Sequence, residues 1–357
     1  MGVDSTKGRI EFLDWLRAVA CFLVMLIHSC ECIYSNDYTY SFPSETARWS
    51  IVFISGFARV AVPLFLMASA FLLVPVKTDM LSFYRRRLSR VAVPFVAWLV
   101  LYAVLPAAWG EWGWGESWAN LRHVFINFVP RESHLWFVYM LLGVYFVMPV
   151  VSPWLERCSA REELFLLGIW LFTSLFWRFH EAFGPVFGEC WWNPWPTFHY
   201  VSGPIGYILL AHWIRFRLAW TPRQIVVRCV PIFIACWAWC MYSFYTRSFR
   251  VEAVSALEID WQPTAFAPVL MSFAAFALMT LIRGVPAALR NAVAEVSRQS
   301  YGMYLMHMMF LPAWFGVMSP RLPAPAAILA TALATYATSF VVTWALSKVP
   351  YLRRIVG

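Results

Sequence analysis

Ile10-Glu-Phe-Leu-Asp14-Trp-Leu-Arg17-Ala-Val-Ala-Cys-Phe-Leu-Val-Met-Leu-Ile-His28-Ser-Cys-Glu-Cys-Ile-Tyr34 is apolar enough to enter a bilayer, yet it carries Asp14, Arg17 and His28. At ~100° per residue, eleven residues turn a helix through three revolutions plus ~20°. Arg17 and His28 therefore share one face, roughly 16 Å apart at ~1.5 Å rise per residue. Asp14 lies three residues before Arg17, on the same side. A guanidinium and an imidazole on one stripe inside a membrane are costly unless they face protein, water or substrate. The stripe is thus a candidate site. The alternative is that Arg17 snorkels to headgroups and His28 is hydrogen-bonded between helices.

The surrounding chain fits that setting. Its 357 residues are 61% hydrophobic and 13% charged, against roughly 25% charged in soluble domains. This is the composition of an all-α, polytopic integral membrane protein, with residues 1–357 as a single domain. Ten spans are expected, near 11–34, 49–76, 88–109, 134–154, 162–178, 200–216, 225–245, 264–282, 300–317 and 324–347, each close to the ~20 residues a crossing needs. The basic leader MGVDSTKGR precedes an apolar run broken by Asp14 and Arg17, without a small-residue cleavage site. It reads as the approach to a retained first helix, not a signal peptide.

A net charge of +9 does not imply nucleic acid here. Every loop on the N-terminal side carries at least two basic residues, from Lys7 and Arg9 to Lys348, Arg353 and Arg354, while the opposite loops carry few. Positive-inside bias then puts about ten transmembrane helices in place with both termini cytoplasmic. Arg17 falls toward the cytoplasmic end of its helix and His28 toward the other. Outer loops rich in tryptophan, at 109–118 and at Cys190-Trp-Trp-Asn-Pro-Trp195-Pro196, suit an interfacial aromatic belt, with sugar contact as a second reading. The eight cysteines form no CxxC pair; Cys21, Cys229, Cys236 and Cys240 fall inside apolar runs and read as packing residues, and a disulfide among Cys30, Cys32 and Cys190 stays open.

Further polar groups mark the spans. Arg59 is a second intramembrane cation, followed by Pro63 and Ser69. Tyr84-Arg85-Arg86-Arg87-Leu88-Ser89-Arg90 is the densest basic cluster. On a helix, Arg86 with Arg90, or Arg87 with Arg90, presents two guanidinium forks on one face, suited to a phosphate-rich ligand or to lipid headgroups. Glu132 and His134 open the fourth span near the level of His28. Ser300, Tyr304 and His307 recur on one helical face in the ninth. No Gly-rich phosphate loop, HExxH or GxSxG sequence is present.

Taken in order, these stretches resemble the acyltransferase 3 family of bacterial membrane O-acyltransferases. Phe12 to His28 is similar to its first helix, and Val62-Pro63-Leu64-Phe65 to Ser69 is similar to its second, with Ala70 where the family usually has Gly. Tyr84 to Pro94, His134-Leu135-Trp136-Phe137 and Ser300 to His307 match three further signatures. The resemblance implies transfer of an acyl group, usually acetyl, from cytoplasmic acyl-CoA to a hydroxyl on the outer side. Arg86, Arg87, Arg90, Tyr84 and Ser69 would then hold acyl-CoA (acetyl-CoA), with no metal. His28 would act as general base, Arg17, Arg59, Glu132 and His134 would assist catalysis, and Trp136, Tyr139, Tyr304 and His307 would meet the acceptor. Glu132 or a water is expected to orient His28, and Arg59 to stabilise the oxyanion. The implied partners are a polysaccharide or lipid-linked glycan acceptor, membrane lipids and polysaccharide synthesis machinery; the implied location is the bacterial inner (cytoplasmic) membrane, multi-pass. A transporter or flippase of a lipid-linked sugar is the alternative, and a non-catalytic synthase partner is a third reading.

Overall fold

The computed structural model describes residues 10–36, 38–129, 132–194 and 197–357. Lys7, Arg9, Arg131, Trp195 and Pro196 lie outside the described residues. The helices run α1 Glu11–Tyr34, α2 Glu45–Ala58, α3 Ala61–Leu73, α4 Met80–Ala108, α5 Trp114–His123, α6 Trp136–Arg157, α7 Ala160–Thr173 and α8 Phe176–Phe183. They continue as α9 Gly206–Phe216, α10 Pro222–Arg247, α11 Val254–Leu257, α12 Phe266–Met279, α13 Ala287–Met306, α14 Leu311–Met318, α15 Ala324–Ser347 and α16 Arg353–Val356. The described strands are two-residue pieces, paired antiparallel with Ser35 opposite Tyr40.

The quoted stretch forms the axis of the bundle. α1 packs against α2, α3, α13 and α15, and Leu16, Ala20, Met25 and Cys30 are buried outright. Apolar residues on several faces make α1 an interior helix, as expected when neighbours surround it on more than one side. Side-chain caps fix several starts. Asp79 accepts from the Ser82 backbone N–H at 2.8 Å ahead of α4, which holds its carboxyl below the usual range. Ser159 and Thr221 form capping boxes for α7 and α10, which satisfy otherwise orphaned N–H groups.

Among the described residues, seven helical segments are long and apolar enough to cross a membrane: 11–34, 45–73, 80–108, 133–157, 222–247, 259–279 and 324–347. They coincide with the expected spans except the fifth, sixth and ninth. The fifth is split into α7 and α8. The sixth is the 11-residue α9, which spans only about 16 Å and is preceded by 3-10 turns around Gly203 and Pro204. The ninth breaks at His307, where α13 passes into a 3-10 turn. Pro312 explains that break, since it lacks an N–H and clashes with the preceding turn. The second expected span is one apolar path bent at Arg59-Val60, between α2 and α3. All eight cysteines are free thiols, so no disulfide joins Cys30, Cys32 and Cys190.

Candidate active site

Five helices each turn one face toward a common cavity of about 530 Å³. α1 supplies Leu13, Asp14 and Arg17; α3 supplies Phe65, Ser69 and Leu72; α4 supplies Arg87 and Arg90; α6 supplies Phe137, Leu141 and Tyr145; and α13 supplies Ser297, Arg298, Ser300, Tyr301 and Tyr304. These are i, i+3 and i+4 spacings, the repeat that puts side chains on one helical face. Four guanidinium-bearing residues, Arg17, Arg87, Arg90 and Arg298, thus meet in one chamber with hydroxyls and an aromatic wall. Guanidinium forks match phosphate oxygens in geometry and charge.

A second cluster lies beyond it. His28 Nδ1 is 2.6 Å from Glu31 Oε2, one turn along α1. His307 Nδ1 is 2.5 Å from the Tyr304 carbonyl oxygen. A carbonyl or carboxylate oxygen accepts, so the ring nitrogen facing it carries the proton. Both imidazoles therefore present an Nε2 lone pair in their neutral form. His307 is fully buried, and its Nε2 finds no hydrogen-bond partner among the described residues. His134, on the 3-10 turn before α6, completes the group, with Glu132 Oε2 3.3 Å from its Nδ1. The His134–His307, His28–His307 and His28–His134 ring centroids are 5.0, 5.2 and 6.3 Å apart.

Tyr304 joins the two regions. It lines the cavity, its ring lies 5.7 Å from His307 and 6.0 Å from His134, and its hydroxyl donates to the His134 carbonyl. Among the described residues, none of the three histidines lines the cavity.

The other expected site residues separate from this group. Arg86 turns back to the Ser82 carbonyl at 3.1 Å, and the Tyr84 hydroxyl donates to the Phe146 carbonyl at 2.8 Å; neither lines the cavity. Trp136 and Tyr139 are half-exposed and sit off the face that carries Phe137, Leu141 and Tyr145, with Tyr139 packed on Phe95 and Phe128. Glu132 accompanies His134, and the partner of His28 is Glu31. Arg59 is occupied elsewhere. Its guanidinium contacts Ser55 at 3.0 Å and Glu258 at 3.3 Å, reaches the Tyr34 hydroxyl, and lies over the Trp261 ring at 4.3 Å. A buried charge with these partners forms an ion pair in the low-dielectric interior, away from the cavity lining.

Sequence reasoning passed over Glu31, Phe137, Tyr145 and Arg298. Glu31 carried a signal, the i, i+3 spacing from His28. Phe137 stood inside the quoted His134-Leu-Trp-Phe stretch. Arg298 and Tyr145 had no local signal, because their place depends on which face α13 and α6 turn inward.

A family model described as an acyltransferase domain matches residues 10–344, nearly the whole chain. The chain belongs to the acyltransferase 3 family. No curated protein and no solved structure matches it. The matched region contains every helix of the cavity and all three histidines, so the arginine chamber and the imidazole cluster are parts of one acyltransferase domain. Within that domain the cavity offers a site for an anionic group. The His28–Glu31 pair offers an imidazole whose Nδ1 is held by a carboxylate and whose Nε2 can serve as a base.

Proposed function

We propose that this acyltransferase takes an acyl group, most simply acetyl, from cytoplasmic acyl-CoA and passes it to a hydroxyl of an extracytoplasmic polysaccharide or lipid-linked glycan. One observation carries the reading: four arginines line a single cavity at one end of α1, and a carboxylate-paired histidine sits at the other end. The phosphates of acyl-CoA supply the anion for the arginines, with Arg87 and Arg90 contributed by α4 and Arg17 by α1.

His28 Nε2 then takes the proton of the acceptor hydroxyl as its oxygen attacks the thioester carbonyl. The carbonyl–sulfur bond breaks, and the leaving thiolate takes the proton back from the imidazolium. Glu31 holds the ring in the productive tautomer and stabilises its cationic form. His307 and His134 border the same point and orient the incoming hydroxyl. Direct transfer is favoured over an acyl-enzyme, since Ser69 faces the arginine cavity and not a histidine. A flippase needs a route between the two sides, whereas the cavity ends at Tyr304. In this reading the chain sits in the bacterial inner membrane with ten crossings and both termini cytoplasmic. It uses no metal and works beside polysaccharide synthesis machinery.

The test is calorimetric titration of acetyl-CoA into the purified protein. Saturable binding is expected, weakened by roughly tenfold or more in Arg87→Ala and in Arg90→Ala, the loss of a charge-assisted hydrogen bond worth about 1.5–3 kcal/mol. Absence of binding to folded protein overturns the donor assignment.

A further inference from the structure

The arginine cavity and the histidine cluster are separated. α1 lines the cavity from Ile10 to Arg17 and no further, while His28 stands roughly 16 Å along the helix. The inner end is closed by two rings, Phe137 and Tyr304, whose centroids are 5.4 Å apart in an edge-on contact. Both are buried. Tyr304 is pinned, because its hydroxyl bonds the His134 backbone. Phe137, an apolar ring without a polar anchor, packs on the rings of Tyr304, of Phe65 at 6.1 Å and of Trp136 at 6.5 Å. Beyond the pair, three imidazoles crowd within 5.0 to 6.3 Å of one another.

We propose that Phe137 is the residue that selects the acyl group by length. It closes the inner end of the cavity against Tyr304, so that a thioester reaches His28 only behind an acyl chain short enough to fit beside these rings. The inference rests on the acyl-CoA reading and deepens it. A two-carbon acyl group needs a small rotation of the Phe137 ring. Each further methylene must occupy space already filled at interior density, where no void absorbs it. Pocket discrimination of this kind is worth about 10- to 200-fold per methylene when the walls are rigid.

The experiment uses the full chain in lipid nanodiscs with acetyl-, butyryl- and octanoyl-CoA. Affinity is read by calorimetry and transfer by kcat/KM. Coenzyme A itself reports the arginine cavity separately. The wild type is expected to bind coenzyme A and to transfer acetyl at least roughly tenfold better than octanoyl. Phe137→Ala raises the octanoyl-to-acetyl ratio at least roughly tenfold while coenzyme A affinity holds; Phe137→Leu does so to a smaller degree and carries the test if the alanine variant fails to fold. Val150→Ala, on the exposed face of the same helix, leaves the ratio unchanged. A wild type indifferent to chain length, or Phe137 variants that transfer acetyl with an unaltered ratio, overturns the inference and leaves the acyl-CoA reading standing. A wild type that binds no coenzyme A overturns both.

Discussion

At the scale of single residues, the pairing of His28 with Glu31 organises the proposed chemistry. The carboxylate is one turn away on the same helix, so it keeps its distance from the imidazole however the bundle breathes. It holds the Nδ1 proton and so leaves Nε2 to take the proton of the acceptor hydroxyl as that oxygen attacks. His28→Ala is therefore expected to lower kcat by roughly 10²- to 10⁴-fold. Glu31→Gln, which keeps shape but removes charge, loses part of that factor. Neither variant is expected to change the affinity for acetyl-CoA, because on the proposed reading the donor's phosphates would sit with Arg17, Arg87 and Arg90. A parallel loss of donor affinity in Glu31→Gln would show that the residue shapes the cavity instead. The Arg17 and His28 stripe was legible from spacing alone, since rise and twist are fixed by the helix. The partner is legible by the same arithmetic, since Glu31 follows His28 by three residues, whereas Glu132, at a similar depth, meets His134. Arg59 shows the opposite limit. Its engagement by Glu258 joins residues 199 apart in sequence, and no local pattern marks it.

At the scale of elements, the site depends on close helix approaches that glycines permit. A Cβ on Gly206 would lie 1.9 Å from Trp170 Cδ2, which fixes how near α9 lies to α7. One on Gly302 would meet the Val356 carbonyl at 2.8 Å, against α16. Gly206→Ala is expected to cost at least about 1–3 kcal/mol by overpacking, read as a lowered melting temperature in detergent. Gly143→Ala, with nothing within 4 Å of its added methyl, serves as the control and melts as the wild type does. The long helices were readable because apolar length is a strong local signal. The breaks at Arg59-Val60 and His307 were less so. A hydropathy reading smooths across a one-residue bend, and the interruption at His307 is what turns its ring toward His28 and His134. Trp136 and Tyr139, expected to meet the acceptor, lie off the face of α6 that lines the arginine cavity: a motif names residues, whereas the inward face takes every third or fourth one.

At the scale of the whole molecule, charge is the organising quantity. The net charge of +9 and the four arginines of the cavity act in one direction, drawing anions toward the chamber. The affinity for acetyl-CoA is therefore expected to fall several-fold as ionic strength rises from about 0.05 M to about 0.5 M, over which the screening length shrinks from above 10 Å toward a few ångströms. Acetyl-pantetheine, lacking the nucleotide phosphates, should bind weakly at every salt concentration and show little slope. Equal salt slopes for the two ligands would remove the arginines from the account. Membrane class and helical architecture were legible from composition because a bilayer admits few solutions. Which arginines meet was not, since it follows from how five helices rotate about their axes.

The chamber that ends at Phe137 and Tyr304 has one more consequence, for the cell's energy supply. A membrane that carries a proton gradient tolerates no standing file of water from one face to the other. A blind pouch satisfies that demand: solvent and ions entering beside the arginines meet a wall of aromatic carbon before they reach the imidazoles. On the acyl-CoA reading, the barrier to leakage and the wall against which the thioester would be positioned are the same two rings, so enlarging that opening for catalysis would also thin the insulation.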